Sequence, residues 1–205
     1  ITHEHNDHIN GIKTLTKKYP CKFWMTFEVY QKIRRKTGPL DADFIDVGEV
    51  FHFNEIDITP YEIIHDAINP IAFLISQEGV PLIGYINDCG YPTPYLLDGF
   101  RNVKILIIEA NHSFDLLLRS SYPDSLKHRI LGSKGHLSNW YTGEFISKTS
   151  PKLVILSHIS EQNNDPNAAL AEIEFVLGHK EDFLKPFFVI VPPNERCALI
   201  QASNI

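Results

Sequence analysis

The chain has 205 residues, 43% of them hydrophobic and 21% charged, with 19 basic against 25 acidic side chains for a formal charge of −6. That is enough for one domain with a sizeable core over residues 1–205, and the 11 Gly and 13 Pro exclude a collagen-like or low-complexity chain. The acidic balance argues against broad electrostatic binding of nucleic acid while leaving a local cationic site open, and no apolar run reaches the ~18–20 residues of a membrane helix.

In chain order, Ile9–Lys18 has a helical pattern, Cys21–Thr26 reads as a strand, and Phe27–Arg35 as a helix stopped by Thr37-Gly38-Pro39. Strands are expected at Glu49–Phe53, Ile56–Ile63, Ile71–Ser76 and Leu82–Asn87, with a hairpin cue at Glu78-Gly79 between the last two. Val103–Glu109 is a continuous apolar run, the pattern of a strand covered on both faces. Helices follow at Ser113–Ser121 and Ser138–Lys148, then a strand at Lys152–Ser157. Asp165 as N-cap and Pro166 at the first helical position open a helix to Leu177, and Phe187–Val191 is the last strand. Strands and helices interleave, so the class is α/β. Phe23, Trp24 and Met25 are expected in the core. Cys21, Cys89 and Cys197 are odd in number and far apart, which reads as reduced thiols in a cytoplasmic protein. Ile1 is not a start methionine and dense chemistry begins at residue 3, so a fragment or processed piece is expected.

That chemistry is Thr2-His3-Glu4-His5-Asn6-Asp7-His8. If Thr2–His5 continues a strand, alternation puts His3 and His5 on one side, and Asp7 and His8 fall in the turn before the helix, facing the same pocket. Imidazole nitrogens and carboxylate oxygens are the ligands of Zn²⁺, Mn²⁺ or Fe. Three further groups each close an apolar strand, where α/β sheets present their sites: His65 after Ile56–Ile63, Asp88 after Leu82–Asn87, and His158 after Lys152–Ser157. Singly, each also reads as a turn Asp or a hydrogen-bonded core His. His52, His128 and His179 read as ordinary surface histidines, and Cys89 as a small buried side chain pointing away from Asp88.

THEHNDH followed by a separate His, Asp and His resembles the metallo-β-lactamase superfamily of binuclear hydrolases. His65-Asp66-Ala67, Glu109-Ala110-Asn111-His112, Gly135-His136-Leu137-Ser138-Asn139 and Ser157-His158-Ile159-Ser160 resemble its YycJ (WalJ) branch. The resemblance implies an αββα four-layer sandwich with metals at the rim between two sheets. It assigns His3, His5 and His65 to one divalent ion and Asp7, His8 and His158 to the other, with Asp88 and a hydroxide bridging. Zn²⁺ and Mn²⁺ both suit such ligands, as does Fe. It further implies a phosphodiesterase or 5′-to-3′ exonuclease acting on DNA or RNA ends, with no membrane and no protein partner legible. Asp7 and His136 are the expected catalytic groups, His136 for phosphate binding or leaving-group protonation. His112, His136, Ser138 and Asn139 are the expected substrate contacts, the last two through backbone N–H groups at a helix start. Glu109 is expected to orient a ligand histidine. Two divalent ions would bring −6 to −2 and make the pocket electropositive.

The family's leading strands, about 50 to 60 residues before the first motif on domain-size grounds, have no counterpart here. Weak metal binding at His3, His5 and Asp7, with Thr2–Asp7 the least ordered part of the site, is the resulting expectation. Asn87 stands where Thr is commoner, a change expected to matter little. The alternatives are a hydrolase of small esters (thioesters or lactams) on the same centre, and a non-enzymatic metal scaffold.

Overall fold

The computed structural model describes residues 1–179 and 184–191. Cys197 lies outside the described residues. Among those described, no helix is long and apolar enough to cross a membrane.

The chain opens with two short helices, α1 (Asn6–Ile9) and α2 (Ile12–Lys18), where one helix from Ile9 is expected. Asn10-Gly11 separates them, glycine being a poor helix interior. Strand β1 (Phe23–Met25) and helix α3 (Phe27–Thr37) follow, then β2 (Ala42–Phe44), a strand too short and mixed to be read from the sequence. β1 and β2 form a small parallel sheet. Ile9 and Ile12 from the first helices, Phe23 and Met25 from β1, and Val29 and Ile33 from α3 pack as one cluster on it.

The main sheet has seven strands in sequence order: β3 (Phe51–Phe53), β4 (Ile56–Glu62), β5 (Ile71–Gln77), β6 (Val80–Ile86), β7 (Ile105–Glu109), β8 (Leu153–Ser157) and β9 (Phe187–Ile190). The first four are antiparallel; β6 through β9 are parallel. Parallel neighbours need crossovers, and helices supply them. They are α4 (Pro94–Gly99) between β6 and β7, then α5 (Phe114–Arg119), α6 (Asp124–Leu131) and α7 (Asn139–Thr149) between β7 and β8, and α8 (Pro166–Gly178) before β9. Asp165 caps α8 through the amides of Asn167 and Ala168, as its Asp-Pro start implies. Thr93-Pro94 gives α4 the same signature, with Thr93 accepting from the Leu96 amide, and it is legible in hindsight.

Helices cover one face of this sheet, where Leu106, Ile108, Val154 and Leu156 are buried with Phe100, Phe145, Ile173 and Leu177. The opposite face carries Phe73, Ile75, Ile83, Tyr85 and Ile107 around an apolar cavity of about 460 Å³ shared with Trp24 and Phe51. Trp24 stacks on Phe51 at 6.0 Å and meets Phe53 edge-on at 5.2 Å. It is thus half-buried between the two sheets and not a core residue. Ile107 lines this cavity and both it and Ile105 are only partly covered, so the expected two-sided burial of β7 holds on its helix face alone. The layers run helices, small sheet, large sheet, helices. All three parallel crossovers turn at the C-terminal ends of β6, β7 and β8, and the chemistry gathers there.

Candidate metal centre

The first motif does not form a strand. Thr2–His5 is extended but outside any sheet, with one backbone bond to a strand, Ile71 N–H to Thr2 C=O at 3.2 Å. Asp7 and His8 lie inside α1, not in a turn before it. Two residues of extended chain still bring His3 and His5 together, their ring centroids 4.6 Å apart. Thr2 Oγ1 sits 3.1 Å from Nδ1 of both His3 and His8, fixing those two rings relative to each other.

The other groups come from loop turns at strand ends. Asp88 ends β6 and His158 ends β8, both in the left-handed region with φ of 59° and 50°. A side chain there costs about 1–3 kcal/mol, a strain that recurs at functional sites. Asn87 ties the two strand ends together: its Oδ1 accepts from Ser157 Oγ at 2.9 Å and its Nδ2 donates to Tyr85 Oη at 2.9 Å. Asn111 Nδ2 donates to the His158 carbonyl at 3.2 Å.

Three sets of side chains converge with ligand atoms within 4.8 Å of one another: His3, His5 and His65; His3, His8 and Asp88; and Asp7, His8 and His158. All seven residues singled out as ligands from the sequence are therefore brought together. His3 Nε2 is buried without a hydrogen bond, 3.9 Å from Asp88 Oδ2, and His8 Nε2 lies 2.7 Å from the same oxygen. A buried ring nitrogen left this way costs about 1–3 kcal/mol unless a cation or proton lies against it. Burial, reinforced by neighbouring His8, lowers His3 to about 3, so its ring is neutral at pH 7, the form a ligand must have. This donor set fits a divalent cation.

Beside it a fourth cluster forms from Asp88, Glu109, His136 and His158. Glu109 is fully buried at the end of β7, and its Oε1 accepts the backbone amides of Cys89 at 2.6 Å and Leu137 at 3.2 Å. Its Oε2 faces Nδ1 of His136 at 3.1 Å and Nδ1 of His158 at 3.4 Å. His158 Nε2 faces Asp7 at 3.4 Å, so one ring nitrogen is oriented by a buried carboxylate and the other is turned to the ligand cluster. Burial opposes charge on both rings, yet the surrounding carboxylates win, pushing His136 up to about 9 and His158 up to about 11. In return, although burial works against its charge, hydrogen bonds from His136 and His8 hold Asp88 well below the usual carboxylate range. The hydrogen bond from His158 lowers Asp7 to about 2.

The loop that carries His136 packs directly on the loop that carries Asp88. A Cβ at Gly90 would meet the Ser133 carbonyl and lie 2.5 Å from the Gly135 nitrogen. Gly90→Ala is therefore expected to destabilise the fold by about 1–3 kcal/mol and to part Asp88 from His136. A denaturation midpoint unchanged from wild type would show that the two loops slide freely.

Ser138, Asn139 and His112, the expected substrate contacts, are all buried. Ser138 Oγ caps α7 by accepting the Tyr141 amide, while the Asn139 amide donates to the His112 carbonyl. The Asn139 side chain pairs with Asn164 and Glu172. These bonds hold α7 and α8 on the β7 turn. The His112 ring is 1% exposed with neither nitrogen hydrogen-bonded, so it faces the interior; burial lowers it to about 4. Cys89 is buried as expected, and burial pushes its thiol up.

The sequence model of the β-lactamase superfamily domain matches residues 1–159. The chain belongs to the β-lactamase superfamily. Exodeoxyribonuclease WalJ of Streptococcus pneumoniae serotype 2 is 31% identical over 172 residues, which make up 80% of this chain and 64% of the relative. Exodeoxyribonuclease YycJ of Bacillus anthracis is 29% identical, over 88% of this chain and 70% of its own. The chain thus spans a little under two thirds of the length of the first of these. Among solved structures, the metallo hydrolase Igni18 of Ignicoccus hospitalis aligns with a TM-score of 0.68 at 16% identity, covering 95% of this chain and 76% of that one. The fold is that of metallo-β-lactamase-type proteins, and the superfamily fold together with the His/Asp cluster points to divalent metal binding.

Proposed function

We propose that residues 1–205 form one metallo-hydrolase domain that holds two divalent ions and cleaves phosphodiesters at the ends of DNA or RNA. The observation that carries this reading is the pair of trios, His3/His5/His65 and Asp7/His8/His158, with Asp88 against a histidine of each. Two relatives named as exodeoxyribonucleases support the choice of phosphodiester over ester. Bound ions in such a pair supply charge neutralisation and an acidified water.

The chain's own groups do the rest. Asp7, exposed at the mouth, accepts a hydrogen bond from the attacking water and orients it. His136 shares its Nδ1–H between Asp88 and Glu109, 3.1 Å from each, which leaves Nε2 to deliver a proton to the departing oxygen. Asp88 and Glu109 keep that ring charged until it is needed. Hydrolysis of bis-p-nitrophenyl phosphate should be metal-dependent and abolished by chelator, with nitrocefin and a thioester left intact; the reverse preference would make the protein an ester hydrolase.

Metal loading should release protons. His158, at about 11, is charged in the metal-free protein at pH 7, and it must shed its proton to bind a cation through Nε2. About one proton per loaded centre is expected in a weakly buffered Zn²⁺ titration, and affinity should rise with pH. Loading with no proton release would remove His158 from the ligand set. The sign is opposite for the metal-free fold. His136 and His158 have raised values, so the stability they contribute is complete below about 6.5 and is lost as pH rises through about 9 and then 11.

A further inference from the structure

Arg129, on α6, lays its guanidinium on Asp66, with Nε 2.5 Å from Oδ2 and Nη2 3.1 Å from Oδ1. Asp66 directly follows His65, and its Oδ1 lies 3.4 Å from His65 Nε2 and 3.9 Å from His5 Nε2. The cation is thus held two hydrogen-bond lengths from ring nitrogens of the first trio. Asp66 is itself pinned, its amide donating at 3.2 Å to the Lys134 carbonyl in the loop that carries His136. The Arg129 side chain is 51% exposed, and among the described residues its Nη1 makes no hydrogen bond.

An exposed ion pair of this kind adds only about 0–1 kcal/mol to stability, so stability alone does not account for a fixed fork at this point. A guanidinium gripped along one edge by a carboxylate keeps its other N–H groups in a known plane, the geometry that suits a phosphate. A strand of nucleic acid brought to an acidic chain also needs a cation outside the metal pair, since the ions serve the phosphate being cut.

We propose that Arg129, aimed by Asp66, anchors a phosphate neighbouring the scissile one, so that the site takes oligonucleotides in preference to small diesters. The proposal rests on the nuclease reading above. Its substrate is any single strand with a phosphate next to the cleaved bond, DNA and RNA alike, because the anchor reads charge and not base.

The test compares Arg129→Ala and Arg129→Lys with wild type in the full-length, metal-loaded protein, on a 20-nucleotide oligothymidylate and on bis-p-nitrophenyl phosphate. Arg129→Ala should raise KM for the oligonucleotide about tenfold and flatten its log–log salt dependence by about 0.7, the slope of one phosphate contact on a single strand. Metal content, kcat and turnover of the small diester should stay within about twofold of wild type. Arg129→Lys, which keeps the charge without the fork, should fall between. Arg119→Ala, which removes an 82% exposed cation paired with Asp115 within its own helix, should change nothing. Wild type that degrades the oligonucleotide with Arg129→Ala unimpaired overturns the anchor alone, as does an equal loss on both substrates or a loss of metal. Wild type that hydrolyses the small diester and not the oligonucleotide overturns the nuclease reading and the anchor with it.

Discussion

Replacing Asp88 with Ala is expected to empty the centre and lower phosphodiester hydrolysis by about 10³-fold or more. The buried carboxylate lies against His8 at 2.7 Å and His3 at 3.9 Å through one oxygen, and against His136 at 3.1 Å and His158 at 3.5 Å through the other. No other side chain of the cluster faces both trios and the charged histidine pair. Losing the ions forfeits several kcal/mol of charge stabilisation, and each ~1.4 kcal/mol is tenfold in rate. His5→Ala, which strips one trio only, should cost less metal. Asp88→Asn keeps the shape and removes the charge, so a folded but metal-poor Asn variant separates ligation from folding. Elemental analysis that finds two tightly held ions in Asp88→Ala would sink the assignment of Asp88 as the shared ligand.

His136→Ala is expected to keep its metal and lose about 10²- to 10⁴-fold in turnover on a nucleotide leaving group, the usual contribution of a general acid. Its Nδ1 is taken by Asp88 and Glu109, and the ring needs no cation to be held. The loss should shrink when the leaving group is p-nitrophenolate, which departs without a proton. A merely structural histidine would lower both rates alike. In wild type the rate should fall on the alkaline side at or below about 9, the value of His136 in the metal-free protein, because nearby bound cations lower it. Less than a threefold loss on a nucleic-acid substrate, with metal intact, would take His136 out of the reaction.

What the sequence determined by itself is whatever depends on residue type and short spacing. Four metal-capable groups within six residues, and a His or Asp closing each of three apolar runs, are visible because strand interiors must be apolar and strand ends need not be. The α/β class follows in the same way, from interleaved strand and helix patterns. The first motif does not continue a strand, since a strand needs a ladder partner and Thr2–His5 has a single backbone bond to Ile71. Helix α6 leaves no mark in the sequence because its start has Pro123 in the capping position, with no side-chain acceptor to announce it. Only the tertiary structure decided where the hydrogen bonds go. It turned Glu109 onto both His136 and His158, 27 and 49 residues away, and so set which imidazoles carry charge. It took Ser138 and Asn139 into the capping and packing of α7. It laid Arg129 on Asp66 across 63 residues. A residue's capacity to donate, accept or ionise is written in its type, but which capacity is already used inside the protein depends on neighbours that are distant in sequence.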